Sequence, residues 1–204
     1  MTKFTIIEDC SPFYIRFTHE GIDKIIEYSK QCVPNLDQIK TFYPHRLPHD
    51  QAASLLAMTP LTDIVPLEPE RAILFISSPG MYYRAHKDGI IDRCSFNYTV
   101  SINDDKCVTS WYSDKDLTGY SLDPVLLDRK LSRECVDFDP TNHTALKSMT
   151  AMPGECILFN TELFHDWNNT ASNNYRVVLT LRIAHPFRTK TYFEDVKKLI
   201  LDKQ

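Results

Sequence analysis

The feature that most constrains this chain is a succession of short β-branched and aromatic runs, each too short for a helix and each closed by turn residues. Seven of them follow one another, at 72–77, 81–86, 94–102, 108–112, 155–160, 164–168 and 175–184. Runs of this length, separated by Gly, Pro, Asn and Asp, are the strands of an antiparallel sandwich or barrel. The clearest is Tyr175-Arg176-Val177-Val178-Leu179-Thr180-Leu181-Arg182-Ile183. Its period of two places Val177, Leu179, Leu181 and Ile183 on one face and Arg176, Val178, Thr180 and Arg182 on the other. The apolar face has to pack on a helix or on a second sheet. At a solvated rim the two arginines are ordinary surface residues; turned inward, a guanidinium requires a buried anion, and its planar fork suits a carboxylate in two-point contact.

Two further strands are expected at 3–7 and 13–17, on either side of a Cys-Ser-Pro break. Ile22, Ile25 and Ile26, followed by Cys32 or Val33, recur at helical spacing, with Thr18 as the expected N-cap and Pro34 as a stop. A second helix is expected over 51–58 with Asp50 as cap, and a third from near Tyr192, carrying Val196, Leu199 and Ile200. The polar stretch from Ser113 to Ser148 breaks the strand rhythm and reads as a substrate-side insertion over the mouth of the barrel.

At 204 residues the chain fits a single domain, residues 1–204, and 43% hydrophobic content allows a sizeable core. The formal net charge is −4 and no run of five Lys or Arg occurs, which argues against nonspecific binding of nucleic acid. The six cysteines form no CxxC pair. Together with a charged N-terminus and no apolar run near 18 residues, they suggest reduced thiols in a cytoplasmic protein without a membrane segment.

The chemistry concentrates in three places. In His86-Lys87-Asp88, at the end of a strand, a spacing of two puts imidazole and carboxylate on one face. Two histidines and one carboxylate leave open positions on a metal and form the ligand set of non-haem iron(II) oxygenases. By itself the pair is equally a surface His-Asp contact. His165 follows a turn and strand, Gly154-Glu155-Cys156-Ile157-Leu158-Phe159, whose path returns it across the sheet toward His86. Arg176 comes eleven residues later, room for one hairpin, so the two should face the same interior. Thr180 is the hydroxyl expected to complete an anion site around it. Ser95, Asn97 and Thr99 share one strand face, and Tyr83 lies three residues before His86. All are candidate co-substrate contacts, and all are equally readable as solvated strand residues. Trp111 and Tyr112 read as core or as pocket wall.

In order and spacing, His86-x-Asp88, His165 and Arg176 on a closing strand resemble the 2-oxoglutarate/iron(II) dioxygenase superfamily, over roughly residues 70 to 185. The Arg176-x-x-x-Thr180-x-Arg182 pattern is similar to the alkylation-repair branch. The compact size and the 154–159 lead-in are similar to the prolyl-hydroxylase branch. The resemblance implies a double-stranded β-helix of jelly-roll or cupin type, with eight main strands, supporting N-terminal helices and a C-terminal helix. It implies Fe(II) held by His86, Asp88 and His165, and 2-oxoglutarate held by Arg176 with Arg182, Thr180, Asn97 and Tyr83. Arg182, roughly 20 Å further along an extended strand, is expected at the metal end of the co-substrate or at the substrate. O2 and a substrate of small-molecule or peptide type are the further partners, and hydroxylation of an amino-acid or peptidyl side chain is the implied reaction. Two alternatives remain open: oxidative demethylation of a nucleic-acid base, which the arginine pair favours and the net charge disfavours, and a jelly-roll binding protein without turnover.

Overall fold

A computed structural model of the chain describes residues 3–88, 92–101, 105–113, 120–122, 134–136, 144–150 and 152–204. Strands β1 (Phe4–Cys10) and β2 (Tyr14–His19) lead into α1 (Ile22–Gln31), β3 (Tyr43–Arg46) and α2 (His49–Met58). Four strands follow, β4 (Ile73–Ser77), β5 (Tyr82–Lys87), β6 (Cys94–Ser101) and β7 (Thr109–Trp111). After the three-residue strands β8 (Tyr120–Leu122), β9 (Glu134–Val136) and β10 (Lys147–Met149) come β11 (Cys156–Asn160), β12 (His165–Asn168), β13 (Arg176–Arg182) and α3 (Phe193–Leu201). The strands form two antiparallel sheets. One runs β1-β2-β11-β6-β13-β4-β3 and the other β10-β7-β12-β5-β9-β8. This is the jelly-roll arrangement expected from the strand rhythm, with more and shorter strands than the eight anticipated.

The alternation along each central strand sorts residues between two interiors. Val177, Leu179 and Leu181 of β13, Phe96, Tyr98 and Val100 of β6, and Cys156 and Leu158 of β11 join one apolar core with Ile22, Ile25 and Ile26 of α1, Leu55 and Leu56 of α2, and Phe193, Val196 and Ile200 of α3. The helices therefore cover the outer face of the larger sheet, each buried aliphatic side chain contributing about 1.5–3 kcal/mol. The opposite face of the same strands, Ser95, Asn97 and Thr99, Ile157 and Phe159, and Arg176, Val178, Thr180 and Arg182, looks toward the smaller sheet and lines a cavity between the two. Register fixes this sorting: Thr180 lies opposite Asn97 and Arg182 opposite Ser95 across the β13/β6 ladder.

Several local expectations need correction. Helix α1 is capped by Gly21, not Thr18, which lies within β2; Gly21 takes φ 82°, a left-handed turn that glycine adopts without strain. Helix α2 starts at His49 after Pro48, so Asp50 sits in its first turn and favours the positive end of the helix dipole without capping it. Within 113–148, strands β8 and β9 pair with each other, and β9 pairs with β5. Strand β10, spanning the end of that stretch, pairs with β7. These parts thus extend the smaller sheet; the expected cover over the mouth falls on segments outside the described residues. No helix among the described residues is long and apolar enough to cross a membrane.

Candidate functional site

The two imidazoles meet through strand pairing. His86 on β5 and His165 on β12 are direct register partners, with ring centroids 4.4 Å apart. A β-bulge makes the rest of the wall: His165 and Trp167 are separated by one residue on β12, whereas their partners His86 and Tyr83 are separated by two on β5. The extra residue brings Tyr83 onto the cavity side beside His86 despite an odd spacing, with the two rings edge to face at 4.9 Å.

Each imidazole is fixed from behind. The His86 Nδ1 lies 2.9 Å from the Arg84 carbonyl oxygen, and the His165 Nδ1 lies 2.8 Å from that of Leu163. A carbonyl can only accept, so these bonds put the proton on Nδ1 and leave Nε2 with its lone pair, the state that a metal requires. The Asp88 carboxylate completes the group, with Oδ1 3.7 Å from the His86 Nε2. His86, His165 and the Asp88 side chain are all buried. Two imidazole nitrogens and one carboxylate oxygen on one side of a cavity suit a first-row divalent metal. As the side chains stand, no group of three or more His, Cys, Asp or Glu among the described residues is arranged to hold a metal ion. Asp88 is held by Arg182, whose two terminal nitrogens both donate to Oδ2 at 3.1 Å.

Arg182 carries a second partner. Its NH1 lies 2.9 Å from Oδ2 of Asp92, and Arg71 grips both oxygens of Asp92 at 2.6 and 2.5 Å. Arg176, at the other end of the same strand face, is equally buried but differently partnered. Its NH1 donates to the Cys107 sulfur at 3.3 Å and to the Thr109 hydroxyl at 3.2 Å, its plane stacks on Trp167 at 4.1 Å, and its Nε has no hydrogen-bond partner among the described residues. Among the described residues no carboxylate pairs with it. The hydroxyl beside Arg176 is thus Thr109; Thr180 instead donates to Asn97 at 2.8 Å.

Asp166, on β12 between His165 and Trp167, is 1% exposed and accepts from the Tyr112 hydroxyl at 2.7 Å and the Ser110 backbone at 2.9 Å. Burial pushes its carboxyl up to about 6, against the pull of those bonds and of the Arg176 charge. On the open side, Phe42 stacks on Tyr83 at 4.4 Å and Phe75 at 5.4 Å and stands edge-on to Trp167 at 5.6 Å.

The structure therefore brings His86, Asp88, His165, Arg176, Arg182, Thr180, Asn97 and Tyr83 into one cavity of about 670 Å3, part of it open to solvent. Sequence reasoning passed over Asp92, Thr109, Trp167 and Phe42. Of these only Trp167 carried a signal, lying two residues beyond His165 on the same strand face. Trp111 is fully buried against Tyr14 and Phe159 and belongs to the core.

No protein-family model and no curated protein matches the sequence. Solved structures do match in fold. EvdMO1 aligns at a TM-score of 0.51 and 12% identity, over 85% of this chain and 47% of that one. EvdO2 from Micromonospora carbonacea var. aurantiaca, complexed with 2-oxoglutarate, aligns at 0.48 and 14% over 84% and 86% of the two chains. The non-heme alpha ketoglutarate dependent carbocyclase SnoK from nogalamycin biosynthesis aligns at 0.48 and 9% over 84% and 80%. At 12% identity the EvdMO1 likeness speaks for the fold alone.

Proposed function

We propose that this chain is a 2-oxoglutarate- and iron(II)-dependent oxygenase that hydroxylates an amino-acid or peptidyl side chain. One observation carries the reading: a buried arginine that forms no ion pair with a carboxylate among the described residues shares a cavity with two imidazoles and a carboxylate presented as metal donors. A lone buried guanidinium is costly unless an anion joins it. A dicarboxylic keto acid meets both ends of the cavity, its far carboxylate on Arg176 and its keto-acid end toward His86, Asp88 and His165.

In this reading the three donors hold iron(II), and Arg176, with Thr109 beside it and Trp167 beneath it, holds the co-substrate in one orientation. Bound iron(II) would supply the activation of O2 that accompanies conversion of 2-oxoglutarate to succinate and CO2. The carbonyls of Arg84 and Leu163 keep both imidazoles in the metal-binding tautomer. The apolar floor of Val178, Ile157 and Phe159 and the wall of Phe42 and Tyr83 exclude water around the reacting C–H bond. A net charge of −4 with no basic run favours an amino-acid or peptidyl substrate over a nucleic acid.

The test is succinate formation from 2-oxoglutarate by the purified protein under air, with and without iron(II), followed by a mass-spectrometric search for +16 products among amino acids and peptides. Iron-dependent succinate that disappears in His165→Ala supports the reading. Metal binding without any succinate would replace it with a jelly-roll binding protein.

A further inference from the structure

Two buried carboxylates share one arginine at the donor end of the cavity. The Arg182 side chain is 7% exposed and those of Asp88 and Asp92 are 8% and 7%, so none of these charges is screened by solvent to any extent. Arg182 gives both terminal nitrogens to Oδ2 of Asp88 and one of them also to Asp92. Asp88 is thereby tied back through one oxygen, and Oδ1 is the one that faces His86. Asp92 is itself immobilised by the Arg71 fork and by Thr161, whose hydroxyl donates to the Asp92 carbonyl at 2.5 Å. The carbonyl of Thr161 accepts from the Asp88 backbone at 3.1 Å. The same two residues, Thr161 and Arg182, therefore clasp both ends of the 88–92 segment.

We propose that Asp92 is a positioning residue for metal capture: by drawing off part of the Arg182 charge, it keeps Asp88 a strong anionic donor and fixes which of its oxygens faces the imidazoles. This rests on the metal-site reading given above and goes beyond it, since Asp92 is not among the residues lining the cavity. The charge logic is direct. With Asp92 neutral, the whole positive charge of Arg182 falls on Asp88, whose attraction for a cation drops accordingly. Arg71 provides the internal comparison. Were Asp92 only a counter-ion for Arg71, removing both charges together would leave the metal site unaffected; if it moderates Arg182, the loss persists in the double variant.

The experiment is an anaerobic titration of metal-free protein with cobalt(II), read by the visible absorption of the bound ion and by calorimetry, with circular dichroism checking the fold. Asp92→Asn is expected to weaken cobalt(II) binding at least tenfold and to shift the absorption bands, Asp92→Glu to restore most of the affinity, and Asp92→Asn/Arg71→Gln to remain weak. Wild-type affinity and spectrum in the double variant would overturn the proposal, and that variant decides the matter if Asp92→Asn alone does not fold. His165→Ala separates the two levels. If it binds cobalt(II) as the wild type does, the metal-site reading itself has failed, whereas metal binding that depends on His165 and ignores Asp92 overturns this inference alone.

Discussion

Arg176 and Arg182 stand at opposite ends of one strand, on one face, buried to almost the same degree, yet their surroundings are opposite in kind. Arg182 is charge-balanced within the protein, between Asp88 and Asp92. Arg176 meets a thiol, a hydroxyl and the face of an indole, none of them an anion. One arginine organises the chain's own carboxylates, and in the proposed function the other receives a carboxylate from outside.

The largest effect expected is on metal. His86→Ala, Asp88→Ala and His165→Ala should each remove most of the bound iron(II), whereas Arg176→Ala should leave occupancy near one per chain, as measured by anaerobic metal analysis. Equal losses in all four would erase the distinction between the two ends. Stability should divide the arginines next. Arg182→Ala strands the buried Asp88 carboxylate, Asp92 keeping the Arg71 fork, and is expected to cost about 3–5 kcal/mol, while Arg176→Met removes a charge that makes no ion pair among the described residues and should cost no more than about 1 kcal/mol. Urea unfolding of the ligand-free proteins measures both, and a larger loss at Arg176 would mean that it has an internal partner after all.

Co-substrate affinity should divide them in the other direction. Arg176→Ala should raise the half-saturating 2-oxoglutarate concentration about a hundredfold or more, since the ligand carboxylate loses its buried partner. Arg176→Lys should recover only part, keeping the charge without the two-point geometry. Titration of the anaerobic iron(II) complexes checks this, and unchanged affinity in Arg176→Ala would remove the central role given to that residue. The smallest effect concerns pH. Because burial raises the Asp166 carboxyl to about 6 from 3.8, the folded state binds that proton more tightly than the unfolded one. Its contribution is complete below about pH 4 and lost as pH rises to about 6, on the order of 2–3 kcal/mol in the metal-free protein. Arg176→Ala takes away a charge that lowers this pKa, so the loss should extend to higher pH in unfolding curves collected across the range.

The strands that build both interiors were legible because alternation is a local property. The order of residues in β13 already separated Leu179 from Thr180, and the order in β6 separated Tyr98 from Asn97. Strand β3 was not legible: Tyr43-Pro44-His45-Arg46 has no alternation, and its proline is tolerated because the strand lies at a sheet edge. Three-residue strands such as β10 are too short to show a period. The helix caps were misjudged because Thr18 is a good cap in isolation, but pairing with Thr5 holds it in the β1/β2 ladder. At the site, the His-x-Asp spacing and the closing arginines were readable, whereas Asp92 and Thr109 owe their roles to partners 90 and 67 residues away, Arg182 and Arg176, a relation with no local signature. Tyr83 faces the cavity only through a bulge that no spacing announces.

The stacking of Arg176 on Trp167 also makes the cavity self-reporting. The chain has two tryptophans, and the other, Trp111, is sealed in the core at 0% exposure. Trp111 emits from a site sealed from solvent and pairs with His165 across the sheet, while the indole of Trp167 lies 4.1 Å from the guanidinium that the proposed function gives to the incoming carboxylate. Arrival of a dicarboxylate there would alter the electric field across that ring, so a change in the ultraviolet fluorescence of the unlabelled protein on adding 2-oxoglutarate is the expected optical sign of its binding, without turnover and without oxygen.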